Sequence, residues 1–384
     1  MSKMIIYKAY KFRMDPTLEQ KRLINQNLGS VRFIHNHFLE EKIKTYETYK
    51  RVVSPYMQMK SLRKLKDEYP WLKEVDHCSL MTTIFNLDDT FKSMIKEGKY
   101  PNYKSKYNKE SYTTNNELKT WGNIKYYSIR LNLKDRIVIL PRLKSVTIRG
   151  YKKLSSINGK IKSATVSKVA NKFYVSLLVE MSIEVPENKY EKILGIDLGI
   201  KNYIVTSDGK KYKNEININE QRLKGLHRAL SRSTKGSRNR EKVIIKIQKF
   251  YQSLKNKRKT QICEIVKRIL QENDVVVTED LDVKEMYQTK SIAVKLRDVP
   301  FTNFIETMSY KAKWQGKKVI KIDRYFPSSQ VCSDCGYQNK TLKDLSIREW
   351  ICPKCNAHHD RDTNASINIK NEGIKILLKQ LNLY

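Results

Sequence analysis

Acid is what this 384-residue sequence is short of: 40 Asp and Glu stand against 76 Lys and Arg, a formal net charge of +36. An excess of that size repels itself in a folded chain unless a polyanion neutralises it. Binding to phosphate releases counterions, so the charge implies nucleic acid as the partner. A composition bias toward Lys, Asn, Ile and Tyr adds to the count without replacing that reading. Long apolar runs are also missing. Met4, Ile5 and Ile6 give way at once to Tyr7 and Lys8, so no signal-peptide core is expected. No stretch approaches the length of a membrane span. Cysteine is scarce: six in a chain with no secretion signal favour metal over disulfides. For the same reason Asn364-Ala-Ser366 is not read as a glycosylation site. Cys78 and Cys263 stand alone and read as small core residues.

What is present suits a folded protein. The 40% hydrophobic and 10% aromatic content separates it from disordered chains, and its length allows two or three domains. Residues 1–11 read as a short strand, and Asp15-Pro16 as a helix start. Ile24, Leu28, Val31, Ile34 and Phe38 then recur at helical spacing. His35 and His37 lie on that helix with no other ligand type nearby, so packing or phosphate contact is expected of them rather than metal. Helix continues to about Glu97 through Leu80, Ile84, Leu87 and Phe91. Next, Tyr100, Tyr103, Tyr107 and Tyr112 alternate with Lys99, Lys104, Lys106 and Lys109. Aromatic faces can stack on bases while lysines meet phosphates; a solvated loop explains the pattern equally well.

From about Lys119 to Val185 the chain reads as β-rich, with a hairpin of Ile161–Ala170 and Phe173–Glu180 turning at Asn171-Lys172 and a curled sheet or small barrel as the result. A new pattern begins near residue 191: strand to Asp197, strand at Tyr203–Ser207, a turn and a third strand. A long helical stretch follows, in which residues 222–259 hold 14 Lys and Arg and one acid, Glu241. Such a one-sided run suits a groove for a nucleic-acid backbone better than a merely solvated face. Val275–Glu279 as strand, Phe301–Gln315 as helix and Val319–Asp323 as strand complete an RNase H-like order.

Two constellations carry chemistry. Cys332-x-x-Cys335 and Cys352-x-x-Cys355 lie 16 residues apart, the spacing of a zinc ribbon. Four thiolates leave no open position on a tetrahedral Zn²⁺, so one structural zinc is expected. Gly336 and Asn356 suit the left-handed backbone such knuckles need. The second set is acidic. Asp197 ends an apolar strand, Glu279 ends Val275-Val276-Val277-Thr278, and Asp362 opens a helix after the ribbon. Acids at strand ends stand where an open sheet presents its chemistry. Three of them could hold two Mg²⁺ ions for in-line attack at phosphorus. Taken singly, each could be a surface acid, and Asp362 a helix cap. Asp360, Asp280 and Asp282 compete for the same roles.

Leu194-Gly-Ile-Asp-Leu-Gly-Ile200, Val277-Thr-Glu-Asp-Leu281, Pro327-Ser-Ser-Gln-Val-Cys-Ser-Asp-Cys-Gly336 and Cys352-Pro-Lys-Cys-Asn-Ala-His-His-Asp-Arg-Asp-Thr-Asn-Ala-Ser366 resemble the RuvC and zinc-ribbon motifs of TnpB proteins. Lys8-Ala-Tyr-Lys-Phe-Arg13 is similar to that family's N-terminal signature, and Ser105-Lys106 to its loop after the helices. Asn356 and Ser366 replace a commoner glycine and alanine, and Arg297-Asp-Val-Pro-Phe301 lacks a frequent Gly-Trp.

The resemblance implies an α/β multidomain fold. An RNase H-like RuvC nuclease domain (191–330 and 357–384) with an inserted zinc ribbon (331–356) would follow a β-barrel wedge domain (1–11 and 119–190), itself interrupted by a helical recognition domain (12–118). It implies Asp197, Glu279 and Asp362 as catalytic Mg²⁺ ligands and Cys332, Cys335, Cys352 and Cys355 as zinc ligands. It also implies a monomer in the prokaryotic cytoplasm or nucleoid that binds one transposon-end guide RNA, recognises a target-adjacent motif and cuts double-stranded DNA. Nucleic-acid contacts are expected at Tyr103, Lys104, Lys106, Ser79, Thr82, Arg238, Arg240 and Lys246, with Thr83 in the same region as Ser79. The alternatives are a nuclease-inactive RNA-guided regulator, for which no acid is missing, and a guide-free nuclease, which needs neither the basic N-terminal half nor the ribbon. A zinc-ribbon transcription factor would not account for the acids. A compact CRISPR effector differs only in its neighbouring genes.

Overall fold

The computed structural model describes residues 2–106, 110–122, 124–149, 157–185, 190–216, 218–282, 286, 288, 299–344 and 346–381. Tyr107, Lys109 and part of the 297–301 stretch lie outside them. The chain divides into two compact units, one of residues 5–182 and 234–249, the other of residues 1–4, 183–233 and 250–384.

The first unit builds on a long strand, β1 (Ser2–Asp15), and three helices, α1 (Leu18–Tyr49), α2 (Pro55–Glu68) and α3 (His77–Ile95). The start of α1 falls later than Asp15-Pro16. Thr17 is its cap, accepting from the Gln20 N–H at 3.2 Å while the Gln20 side chain accepts from the Thr17 N–H at 3.0 Å. That reciprocal pair satisfies two otherwise orphaned donors, which a proline-preceding Asp cannot do alone. Ile24, Leu28, Val31, Ile34 and Phe38 are buried on one face, as their spacing requires. Ser54 and Asp76 cap α2 and α3.

Strands β2 (Glu110–Asn115), β5 (Arg130–Asn132), β6 (Ile137–Leu140), β7 (Lys144–Arg149), β8 (Lys160–Val169) and β9 (Lys172–Val185) join β1 in a seven-stranded sheet of order β2-β8-β9-β1-β7-β6-β5. Between them β3 (Leu118–Trp121) and β4 (Ile124–Tyr127) form a separate hairpin. Among the described residues no pairing joins the two edges, β2 and β5, so the barrel expected here appears as an open sheet. The predicted hairpin is β8–β9. Its turn is Ala170-Asn171, at φ 49° and 62°, the paired left-handed residues that match the twist of the flanking strands. Phe173, Val175, Leu177 and Val179 alternate inward from β9.

The second unit has a five-stranded sheet of order β12-β11-β10-β13-β14. Its strands are β10 (Ile193–Asp197), β11 (Ile204–Thr206), β12 (Lys211–Tyr212), β13 (Val275–Glu279) and β14 (Lys318–Ile322). Strands β10, β13 and β14 are parallel and carry apolar runs, whereas β11 and β12 are antiparallel. Helices α4 (Glu220–Arg232), α5 (Arg238–Glu272), α6 (Phe301–Trp314) and α7 (Arg361–Gln380) complete the order; α5 begins in the first unit and ends in the second. Helix α7 lies directly on the sheet. A Cβ on its Gly373 would stand 2.3 Å from Val277 Cγ1, so only glycine allows the approach. The ribbon precedes α7 and closes with β15 (Glu349–Ile351) against β16 (His358–Asp360). Among the described residues no helix is long and apolar enough to cross a membrane.

Candidate active site and metal centre

Parallel pairing sets the first two acids side by side. Ile196 is level with Thr278, so Asp197 and Glu279 end neighbouring strands at the same edge. Asp362, in the first turn of α7, comes to the same place because α7 packs on β10. Asp197 is half-buried, and burial raises its carboxyl well above the usual carboxylate range. The Glu279 and Asp362 charges push it further, against the pull of the Leu198 N–H and the Arg361 guanidinium. Glu279 is raised by burial, with the Ser328 hydroxyl pulling it back. Burial is the larger cause for both acids, and at Asp197 the neighbouring like charges add to it. The competing acids are elsewhere engaged. Asp360 is the cap of α7, accepting from the Thr363 N–H at 2.9 Å, so the cap is not Asp362. Asp280 pairs with Lys321 at 2.8 Å, and Arg324 reaches both Asp280 and Asp282.

Sequence reasoning did not find the groups that hold these acids. Asp362 takes a hydrogen bond from Asn202 Nδ2 at 3.4 Å on one oxygen and pairs with Arg348 at 3.3 Å on the other. Ser328 Oγ donates to Glu279 Oε1 at 2.5 Å. Buried Arg361 donates to the carbonyls of Asp344 at 2.6 Å and Ile347 at 3.3 Å, which tie the ribbon to the base of α7. Asn364 Nδ2 reaches the Val331 carbonyl at 2.7 Å, while its oxygen accepts from the Ser333 N–H at 2.9 Å. Asn364 and Asn368 are buried polar residues four apart on one helix, a signal that could have marked α7 as the ribbon's anchor.

The four ribbon cysteines form a candidate metal centre. Among the described residues they are the only group of three or more possible ligands whose donor atoms all lie within 4.8 Å of one another. The three acids are thus neighbours, but less tightly gathered than the thiols. The Sγ atoms of Cys332 and Cys355, and those of Cys335 and Cys352, are 3.6 Å apart. That fits the edge of a tetrahedron around zinc, about 3.8 Å for Zn–S bonds of ~2.3 Å, and is far too long for a disulfide. Gly336 and Asn356 take φ of 75° and 59°, and their N–H groups close matching turns onto the carbonyls of Cys332 at 3.0 Å and Cys352 at 2.9 Å. Burial pushes the Cys352 thiol up, but the N–H groups of Cys355 and Lys354 and the neighbouring thiols Cys335 and Cys355 bring it down to about 7, while Cys332 and Cys355 are raised. His359 Nε2 lies 3.1 Å from Cys332 Sγ and its ring packs on Trp350.

The residues singled out for nucleic acid fall into three groups. Ser79 is fully buried, its hydroxyl engaged by Asn27 and the Asp76 carbonyl, so its placement is that of a core residue. Thr83 is also buried, and the Thr82 hydroxyl bonds back to the Cys78 carbonyl at 2.8 Å. Of the tyrosines, Tyr112 is buried and Tyr100 stacks against Phe91, whereas Tyr103 is 52% exposed. Lys104 is held at its backbone by Asn36 and is exposed as a residue, although partial burial of its ammonium beside His35 lowers its pKa. Lys106 and Arg240 line one cleft of the first unit with Lys168 and Asn171. Arg238 and Lys246 are exposed on α5. Burial and the Lys104 charge lower His35 to about 4, as suits a packing residue, whereas His37 is exposed and stacks on Phe33.

Three family models match. One described as "Probable transposase" covers residues 176–290, one described as "Cas12f1-like, TNB domain" covers 301–369, and one described as "Helix-turn-helix domain" covers 4–51, where the structure forms β1 and a single long helix. A Streptomyces pristinaespiralis protein named "Putative RNA-guided DNA endonuclease" is 31% identical over 376 residues, 96% of this chain and 90% of its own. InsQ of Escherichia coli (strain K12), described in the same words, is 24% identical over 391 residues, 96% of this chain and 93% of its own. The chain also superposes on Cas12f1 from a solved Cas12f1-sgRNA-target DNA complex, with a TM-score of 0.57 at 15% identity, over 96% of this chain and 99% of that one. The fold is thus that of a mixed α/β protein of the Cas12f1 kind with a four-cysteine ribbon. The sequence kinship is narrower, and by it the chain belongs to the TnpB family.

Proposed function

We propose that this chain is an RNA-guided DNA endonuclease in which Asp197, Glu279 and Asp362 bind two Mg²⁺ ions. The observation that carries the reading is their convergence: acids from two neighbouring strand ends and one helix start, close enough for two of them to raise the carboxyl of the third. A net charge of +36 and the curated relatives' descriptions point to the same activity. The hard carboxylate oxygens suit Mg²⁺. Bound there, the cations would supply Lewis-acid stabilisation of charge at phosphorus and at the departing 3′ oxygen. The chain's own residues do the rest. Asn202 and Arg348 orient Asp362, and the β10–β13 pairing sets Asp197 beside Glu279.

In this reading residues 191–330 and 357–384 form a RuvC-like nuclease domain around the ribbon at 331–356. The wedge expected at 1–11 and 119–190 also takes in residues 12–15 and 110–115, which complete its sheet, and the helices between them form the recognition domain. The ribbon holds one structural Zn²⁺. A guide RNA from the transposon end pairs with one strand of double-stranded DNA beside a target-adjacent motif. One active site cuts both strands, in a protein acting as a monomer in the cytoplasm or nucleoid. Tyr103 offers a stacking face, and Lys104, Lys106, Arg238, Arg240 and Lys246 meet phosphates. The test is to sequence the RNA that purifies with the full chain. A discrete RNA ending in a variable guide segment is the expected result; no RNA, or a random mixture, overturns the guided reading.

A further inference from the structure

Glu279 is the candidate ligand whose partner lies in the segment leading into the ribbon. Ser328 Oγ donates to its Oε1 at 2.5 Å. Ser328 is 6% exposed and four residues ahead of Cys332. Its backbone is held in turn: Asn368 Nδ2 donates to the Ser328 carbonyl at 2.8 Å and to the Val331 carbonyl at 2.6 Å. Asn368 sits on α7, six residues after Asp362. One helix therefore carries one acid and, through Asn368 and Ser328, reaches a second acid on β13.

A serine hydroxyl has a single proton to give. Directed at one carboxylate oxygen, it fixes the plane of the carboxylate and so the direction in which its remaining lone pairs point. Hydrogen bonds of this sort to ligating carboxylates typically tune metal affinity ten- to a hundredfold. We propose that Ser328 is a positioning residue for Glu279, and that its hydroxyl, anchored by Asn368, holds the carboxylate in the one orientation in which it binds a divalent cation. This rests on the reading of Glu279 as a cation ligand.

The test measures Mn²⁺ binding to the full-length, zinc-loaded chain by electron paramagnetic resonance, with zinc content and melting temperature measured alongside. Ser328→Ala weakens Mn²⁺ binding about tenfold or more while zinc content and melting temperature stay at wild-type values. Ser328→Thr, which keeps the donor, binds as the wild type does. Glu279→Gln loses the site. Wild-type Mn²⁺ affinity in Ser328→Ala, with Glu279→Gln defective, overturns the positioning role and leaves the ligand reading standing. A loss of zinc or of folding in Ser328→Ala that accounts for its weaker binding makes the residue structural and overturns the proposal, as does a Thr variant as weak as Ala. Wild-type binding in Glu279→Gln overturns the ligand reading itself.

Discussion

A Cβ at Gly195 would stand 2.0 Å from the carbonyl oxygen of Ser366. Strand β10 and helix α7 are thus in direct backbone contact two residues from Asp197 and four from Asp362. Glycine at 195 is there for closeness, and its neighbours are backbone and cannot swing aside. Gly195→Ala is expected to lower stability by about 1–3 kcal/mol, the usual range for overpacking. Chemical denaturation reads it; a change below ~0.5 kcal/mol would contradict the close contact.

Asp197 sits where its charge is unwelcome, so neutralising it helps the fold. With divalent cations chelated, Asp197→Asn is expected to raise the melting temperature by about 2–4 °C, the shift for roughly 1 kcal/mol in a large domain. The same variant loses the stabilisation that Mg²⁺ gives the wild type. A scan with and without Mg²⁺ checks both halves, and a lower melting temperature in the chelated variant would count against the crowded carboxylates.

The same crowding has a pH signature. Asp197 and Glu279 have folded-state values raised above their unfolded ones. The folded chain therefore binds more protons, and their contribution to stability is present at acid pH and lost as pH rises from the ordinary carboxylate range through the raised values. Cations compete with those protons, so stabilisation by Mg²⁺ grows over the same window. The difference in melting temperature between wild type and Asp197→Asn, followed from about pH 4, near ordinary carboxylate titration, to about pH 8, isolates the effect. A difference that does not change with pH would refute it.

Lys42 is fully buried with Asp88 at 2.7 Å, and its ammonium also donates to the Val53 carbonyl. Removing Lys42 leaves Asp88 in the core with only the half-exposed Lys92, 2.6 Å from its other oxygen, to balance it. Lys42→Ala is expected to destabilise the first unit by about 3–5 kcal/mol, whereas Lys42→Met with Asp88→Leu is close to neutral. Denaturant midpoints of the two variants measure the contrast, and equal losses would show that packing rather than the stranded charge is responsible.

The zinc ribbon leads straight into the acids, since β16 ends at Asp360 and α7 begins at Arg361. Cys352→Ser is expected to take zinc from one per chain to none and to reduce DNA cleavage at least ~100-fold through displaced Arg348, Ser328 and Arg361. Bound zinc is read by metal analysis. Full cleavage by a zinc-free chain would uncouple ribbon from site.

The sequence made some of this legible and hid the rest for physical reasons. The cysteine spacing and the apolar runs ending at Asp197 and Glu279 are local signals, readable because zinc geometry and sheet burial constrain short stretches. The β8–β9 hairpin was legible for the same reason, but its turn falls at Ala170-Asn171, one residue before the Asn171-Lys172 expected from the pattern. Asp362 could not be told from Asp360 on spacing alone, because both stand where a helix starts; only the Thr363 N–H decides which is the cap. Ser328, Asn202, Arg348 and Asn368 carried no visible signal, since their partners lie 14 to 160 residues away. The alternation of Tyr and Lys misled in part: Tyr112 falls on a strand that faces the core, so its spacing reported packing rather than a stacking row. Ser79 lies on the buried face of α3 for a similar reason. Its neighbours Leu80, Ile84 and Leu87 already define that face.

The central claim is that Asp197, Glu279 and Asp362, and no other acids, run the chemistry. The most direct measurement is Mg²⁺-dependent cutting of matched DNA by the RNA-bound chain and its single alanine variants. Asp197→Ala, Glu279→Ala and Asp362→Ala are each expected to lose at least ~10³-fold in rate, with RNA and DNA binding retained. Asp280→Ala, which disturbs only exposed ion pairs with Lys321 and Arg324, is expected to cut at the wild-type rate. Wild-type cutting by any of the three variants, or an Asp280→Ala as dead as they are, would contradict the account.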